Sequence, residues 1–338
     1  MRIALDAMGG DRAPEVVVLG AIEAARELDG AVELLLVGQE VVLERELRKY
    51  PPAPGISIVP ASQIIDMADK SPAALLRRNS DSSIAVAMKL QKDHEVQAVI
   101  SAGHTGAAVA SSLLSLGRLA GVSRPAIASP MPTERGMCVL LDAGANASCK
   151  PEWLFQFAVM GELYASRVLG IERPKVGLLS IGEERSKGDP MTLQTHELLA
   201  TDPDINFIGN VEGRDIPKGT ADVVVCDGFV GNVILKFAES MVGFLATSIR
   251  EQIMSSWSRK LGAFLLKGAV GEIRKKLDYQ EYGGAPLLGV DGVTIICHGN
   301  SSAKAIKNAI FVARRMIRER VNDHIKDHLQ RKNRASNG

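Results

Sequence analysis

The sequence predicts an α/β fold with a mainly parallel, doubly wound sheet covered by helices. Two observations carry that expectation. Short Val/Ile/Leu-rich runs alternate with amphipathic segments along most of the 338 residues, which is the rhythm of βαβ units. The runs are apolar at consecutive positions, as in strands buried on both faces.

In chain order, RIALDA (residues 2–7) reads as the first strand. A helix from about Pro14 to Leu28 follows, then a strand in VELLLVG (32–38), a helix in VVLERELRKY (41–50) and a strand in ISIVPA (56–61). Further strands are expected at Val96 to Ser101, Pro125 to Met131, Met137 to Asp142, Lys175 to Ile181, Ile205 to Val211, Asp222 to Cys226 and Val293 to Cys297. The Pro-Thr-Glu-Arg-Gly turn at 132–136 puts two strands in succession, an expected antiparallel hairpin that elaborates the fold near a lobe boundary. The length allows two domains or one large unit with an elaboration. We read residues 1–330 as one α/β unit with a two-lobed cleft, 253–277 as a protruding helical element, and the tail RKNRASNG (331–338) as frayed.

Hydrophobic residues make up 46% of the chain, and the formal net charge of +1 gives no field that calls for nucleic acid. Cys138, Cys149, Cys226 and Cys297 form no CxxC pair and sit in or beside apolar runs, as buried thiols in a reducing compartment do. No charged-then-apolar leader opens the chain and no stretch reads as a membrane span. A cytoplasmic protein, at most peripheral to a membrane, is expected.

Three apolar runs break into small-residue loops that can bare backbone N–H groups: RIALDAMGGD (2–11), AVISAGHTGAA (98–108) and VLLDAGANAS (139–148). Similar loops follow at Ser180 to Asp189, Asp227 to Lys236 and His298 to Lys304. One such loop alone is an ordinary βα connection. Six, each after a strand and several before a helix N-terminus, suit an anion site outside the carboxyl ends of the strands. DAMGGD is not GxGxxG, and no Walker lysine motif, HExxH, metal-spaced Cys/His cluster or GxSxG elbow is present, so no nucleotide, metal or cofactor is expected. An anion site without an enzyme nucleophile suits a reaction in which phosphate itself attacks an activated carbonyl. Single side chains stay two-sided at this level. His104 is a ligand contact or a structural donor at a helix start, and Lys187 a phosphate clamp or a solvated lysine. His298 is a functional strand-end residue or one packed under the last helix, while Lys236 and Lys304 read as solvated faces.

DAMGGD (6–11), SAGHTGA (101–107), LDAGAN (141–146), LLSIGEE with KG (178–188), GFVGNVILK (228–236), GGAPLLGV (283–290) and HGNSS (298–302) jointly resemble the acyl-acyl carrier protein:phosphate acyltransferases of bacterial phospholipid synthesis, over roughly residues 1 to 330. His104 departs from an expected SAGNTGA asparagine. The resemblance implies transfer of a long-chain fatty acyl group from acyl carrier protein to inorganic phosphate, giving acyl phosphate for hand-off to a membrane glycerol-phosphate acyltransferase. It also implies a homodimer, peripheral membrane association and a three-layer αβα fold like that of phosphate acetyltransferases and isocitrate dehydrogenases. On it, phosphate meets Asp6, Gly9, Gly10, Ser101, Gly103, His104, Thr105, Gly106, Ser301 and Ser302. Lys187, Asn146, Asn232 and His298 become the catalytic candidates.

In 253–276, Ile253, Trp257, Leu261, Phe264 and Leu265 make one stripe at 100° per residue. Such a stripe serves a core or dimer-packing helix. The apolar tip with its basic flanks equally suits shallow membrane contact through Trp257, Leu261, Phe264 and Leu265. Arg314, Arg315, Arg318 and Arg320 are a possible dock for acidic acyl carrier protein, although interleaved Glu319, Asp323 and Asp327 favour a solvated face. The rival functions are a short-chain phosphate acetyltransferase using coenzyme A thioesters and a non-enzymatic acyl-thioester or phosphate-binding regulator.

Overall fold

The computed structural model describes residues 1–66 and 80–336. Its strands are β1 (Arg2–Asp6), β2 (Glu33–Gly38), β3 (Ile56–Pro60), β4 (Ala98–Ser101), β5 (Ala126–Thr133), β6 (Gly136–Leu141), β7 (Val176–Leu179), β8 (Phe207–Val211), β9 (Val223–Val225), β10 (Ala285–Leu288) and β11 (Val293–Ile296). The helices are α1 (Glu15–Leu28), α2 (Glu40–Leu47), α3 (Ser83–Lys92), α4 (Thr105–Ser115), α5 (Pro151–Tyr164), α6 (Pro190–Ala200), α7 (Asp215–Lys218), α8 (Gly228–Met254), α9 (Trp257–Leu265), α10 (Lys267–Leu277), α11 (Ala303–Arg318) and α12 (Val321–Ser336).

The strands form one sheet in the order β3-β2-β1-β4-β11-β10-β5-β6-β9-β7-β8. Both its faces are covered, and Ile3, Leu5, Leu36, Ile100, Leu140 and Val223 are at most 1% exposed. Continuous Val/Ile/Leu runs therefore became central parallel strands, because alternation would have left one face wet. On one face α1 and α11 touch closely: a Cβ at Gly20 would stand 2.5 Å from Ala303 O.

Two parallel groups meet in this sheet. β3, β2, β1, β4 and β11 run one way, and β6, β9, β7 and β8 the other. β10 and β5 join them through antiparallel pairings. The expected β5–β6 hairpin is present, yet it lies at the middle of the sheet as the joint between the groups and is no peripheral elaboration. A strand-to-strand twist of roughly 20–25° over the steps from β11 to β9 accumulates to about a right angle. The carboxyl-end loops of the second group thus swing toward those of the first.

Four expectations change. β10 was not foreseen, because Pro286 and the glycines around it read as turn. The stripe assigned to 253–276 is not one helix. α8 ends at Met254, α9 begins after Ser256 in extended conformation, and Leu266 separates α9 from α10. Ile253 therefore belongs to α8. The tail expected to fray is helical as far as Ser336. Finally, α8 is long and apolar enough to cross a membrane by length and composition, against the expectation that no stretch would be. Its first turns are nevertheless seated in the protein, since Gly228, Gly231 and Leu235 are buried.

Candidate functional site

The loops after β1, β4 and β11, which are neighbours in the sheet, form one cluster. Asp11 N donates to Gly299 O at 2.8 Å, joining the first loop to the third. Gly9 lies against Gly103, where a Cβ would come within 2.8 Å of the Gly103 nitrogen. Gly10, at φ +113°, packs between Ala102 O and Gly299 O. Glycine is required there by both the left-handed backbone and the close approach.

Beneath these loops lies Asp6, 4% exposed. Ser83 Oγ donates to its Oδ1 at 2.5 Å and Ser101 Oγ to its Oδ2 at 2.6 Å. Burial pushes the Asp6 carboxyl up, with the serine and backbone donors opposing it. Ser101 Oγ in turn accepts from Gly103 N at 3.1 Å. Asp6, the Ser101 hydroxyl and the Gly103 N–H are thus bonded to one another, and this chain of bonds shapes the loop. The cavity enclosed here is about 10 Å³, room for a water at most, and the loops open to solvent above it.

At that mouth α4 and α11 present their N-termini. His104 caps α4, its Nδ1 accepting from Ala107 N at 3.2 Å. This explains the departure from asparagine: imidazole Nδ1 accepts the first-turn N–H as an asparagine oxygen does. The N–H groups of Thr105 and Gly106, in the same first turn, have no intrahelical acceptor. Ser302 caps α11, accepting from Ala305 N, and also donates to Gln280 Oε1. Its hydroxyl is therefore occupied. Ser301 is buried, its N–H bonded to His298 O at 3.0 Å.

The loops after β6, β7 and β9 form a second cluster. Asp142, fully buried, accepts at Oδ1 from Ile127 N, Gly144 N and Ala145 N, and at Oδ2 from Asn146 N and Asn146 Nδ2. Burial pushes this carboxyl up, with the Ala145, Ile127 and Asn146 donors opposing it. Asn146 Nδ2 also donates to Pro125 O at 2.7 Å. With both amide protons engaged, Asn146 braces the β6 loop. Asn232 differs. It is exposed on the first turns of α8 and faces Gly144, where a Cβ would stand 3.5 Å from Asn232 Oδ1. Asp227 caps α8 by accepting from Phe229 N and Val230 N. Lys187 is exposed in the loop after β7, its backbone tied by Ser180 Oγ donating to Lys187 O, and its ammonium makes no ion pair among the described residues. A cavity of about 340 Å³ lies between Ser180, Gly188, Asp189, Asp227 and Ile234.

The structure thus brings the predicted residues together as two groups. A side-chain contact reaches from one to the other: His298 Nε2, after β11, lies 3.0 Å from Glu239 Oε1 on α8. Lys236 Nζ holds the other oxygen at 2.9 Å, so Lys236 is not merely a solvated face. Burial pushes Glu239 up, but His298 and Lys236 outweigh it and hold its carboxyl below the usual range. Sequence reasoning missed Glu239, Asp142 and Ser83. The i,i+3 spacing from Lys236 was the available sign for Glu239.

α9 leaves its apolar residues uncovered: Trp257 is 78%, Phe264 72% and Leu265 76% exposed, with Leu261 about half exposed.

A family model described as fatty acid synthesis protein matches residues 1–324. The chain is 53% identical over 331 residues to a phosphate acyltransferase of Heliobacterium modesticaldum, covering 97% of this chain and 98% of that one. It is 49% identical over 330 residues to a phosphate acyltransferase of Pelotomaculum thermopropionicum, covering 98% and 95%. Among solved structures, the EutD phosphotransacetylase from Staphylococcus aureus superposes with a TM-score of 0.61 over 94% of each chain at 15% identity, a likeness of fold.

Proposed function

Because this chain belongs to the phosphate acyltransferase family of fatty acid synthesis proteins, we propose that it transfers a long-chain acyl group from acyl carrier protein to inorganic phosphate, and that the acyl phosphate formed feeds phospholipid synthesis. One observation carries the reading. The loops carry helix-N-terminal backbone N–H groups suited to an anion, and three serine hydroxyls beside them are engaged with side chains, Ser83 and Ser101 with Asp6 and Ser302 with Gln280. Burial pushes the Cys138 and Cys297 thiols up to about 12 and the Cys226 thiol well above its usual range, so none is a thiolate near neutrality. On this reading phosphate is the attacking group.

In the mechanism that follows, the N–H groups of Thr105 and Gly106 and the α11 N-terminus hold phosphate at the mouth of the first cluster. A phosphate oxygen attacks the thioester carbonyl, the carbonyl electrons move onto its oxygen, and the amide of Asn232 and the ammonium of Lys187 stabilise that oxyanion. Collapse expels the carrier thiolate. A pantetheine thiol needs little protonation help, sharing the roughly 8.5 of ordinary thiols. His298, held by Glu239, stands where the two groups meet.

The experiment is acyl phosphate formation, trapped as hydroxamate, from phosphate with either acyl carrier protein or coenzyme A thioesters. Preferential turnover of the long-chain carrier thioester is expected. Preference for acetyl-coenzyme A would assign a phosphate acetyltransferase, and no turnover a binding regulator. In the same assay Lys187→Ala and Asn232→Ala are each expected to lower kcat about 10²-fold. Unchanged rates and phosphate KM values in both would remove them from the site.

The reading includes the cytoplasm, a homodimer and peripheral membrane contact. A second copy of the chain covers the outer part of α8, where Phe244 and Ile249 are exposed, and the α9 tip dips into an anionic bilayer beside Lys260 and Lys267. Acyl phosphate then passes to a membrane glycerol-phosphate acyltransferase. Leu265→Glu is expected to abolish co-sedimentation with anionic vesicles while leaving soluble turnover intact. Equal sedimentation of variant and wild type would end the membrane role.

A further inference from the structure

Resting on that function, we propose that the groove along α8 beyond Asp227 holds the acyl chain, and that its far end at Val242 and Leu277 sets the chain length accepted. Two cavities adjoin here. The one among the polar loops, about 340 Å³, shares Gly213 and Ile234 with a second of about 510 Å³. The second is walled by Met131, Ile216, Leu235, Phe237 and Met241. Among the described residues its one ionisable lining group is Glu239, whose carboxylate is held by Lys236 and His298.

The wall is chemically suited to a hydrocarbon. Pro130 and Pro132 of β5 carry no N–H to desolvate, and Pro217 adds a third such position. Water gains few hydrogen bonds in such a groove, so an apolar occupant is favoured. From Val230, in the first cavity, to Val242, at the end of the second, α8 rises roughly 18 Å at 1.5 Å per residue. An acetyl group leaves nearly all of that length empty, and a long chain fills it. Continuity with the loop after β7 that bears Lys187, through Ser180, Gly188 and Asp189, and with the start of α8 at Asp227 and Val230, selects the substrate's own acyl chain as occupant over an unrelated lipid: the carbonyl end lies at the loops and the tail runs along the helix.

Ala238 lines the groove midway. In Ala238→Trp the indole is expected to deny space to about four methylenes, each contributing roughly fourfold. The ratio of kcat/KM for hexadecanoyl over butanoyl thioesters of acyl carrier protein then falls about 10²-fold. Should circular dichroism show that variant misfolded, the double variant Val242→Ala with Leu277→Ala, at partly exposed positions, is expected to lower the hexadecanoyl to octanoyl ratio about tenfold. A folded variant with an unaltered ratio overturns the groove and spares the function. Absence of turnover by the wild-type protein with either thioester overturns both.

Discussion

Asp142→Ala is expected to lower stability by about 4 kcal/mol or more and to abolish turnover. The carboxylate is fully buried, and its two oxygens accept five hydrogen bonds that shape the β6 loop, one of them tying it to β5 through Ile127 N. Removing it leaves five donors facing a void. Each stranded donor costs about 1–3 kcal/mol, and the total stays below the sum because loop donors relax toward water. Asp142→Asn keeps one accepting oxygen but turns an NH₂ toward donors, so an intermediate loss is expected. Urea unfolding measures both, as a lower midpoint at constant slope. A loss under about 1 kcal/mol in Asp142→Ala would show that the loop does not depend on this carboxylate.

Gly231→Ala is expected to cost about 3 kcal/mol and at least 10²-fold in turnover. A Cβ at Gly231 would stand 1.9 Å from Asp142 O and 3.0 Å from Cys226 Sγ. The first obstacle is backbone, so α8 itself must shift, and Asn232 shifts with it. Helix propensity alone gives the opposite sign, since alanine is favoured over glycine by about 1 kcal/mol in a helix interior. Gly243 of the same helix isolates that term: nothing lies within 4 Å of its Cβ position. Gly243→Ala should accordingly raise stability by up to about 1 kcal/mol. The two variants have to move the unfolding midpoint in opposite directions, and like shifts would contradict the seating of α8 on the β6 loop.

Most of the sheet was legible in the sequence, because a strand buried on both faces leaves a run of Val, Ile and Leu that survives any rearrangement of its neighbours. β10 was not. Four residues containing Pro286, between Gly284 and Gly289, have the local chemistry of a turn, and the pairing with β5 and β11 overrides it. α8 was hidden for a different reason: its apolar residues are spread around the helix and few are buried, so no stripe of period 3.6 marks it.

At the site, the sequence revealed which loops gather at the strand ends but not which polar groups were already bonded. Asp6 meets Ser83 and Ser101 across 77 and 95 residues, and Glu239 meets His298 across the sheet. No spacing rule reaches such pairs. Asp6, Ser101, Asn146 and Ser302 read as ligand contacts for that reason and are found bonded inward. His104 was read as a ligand contact or a structural donor, and its Nδ1 is found accepting the Ala107 N–H at the cap of α4.

The central claim is that phosphate attacks the thioester directly and the protein supplies no covalent nucleophile. Its most direct test is intact-mass spectrometry of the protein after incubation with hexadecanoyl-acyl carrier protein in the absence of phosphate, with carrier thiol release followed in parallel. The account predicts an unmodified protein and no thiol release until phosphate is added. An acylated protein together with a stoichiometric burst of carrier thiol before phosphate is present would contradict it.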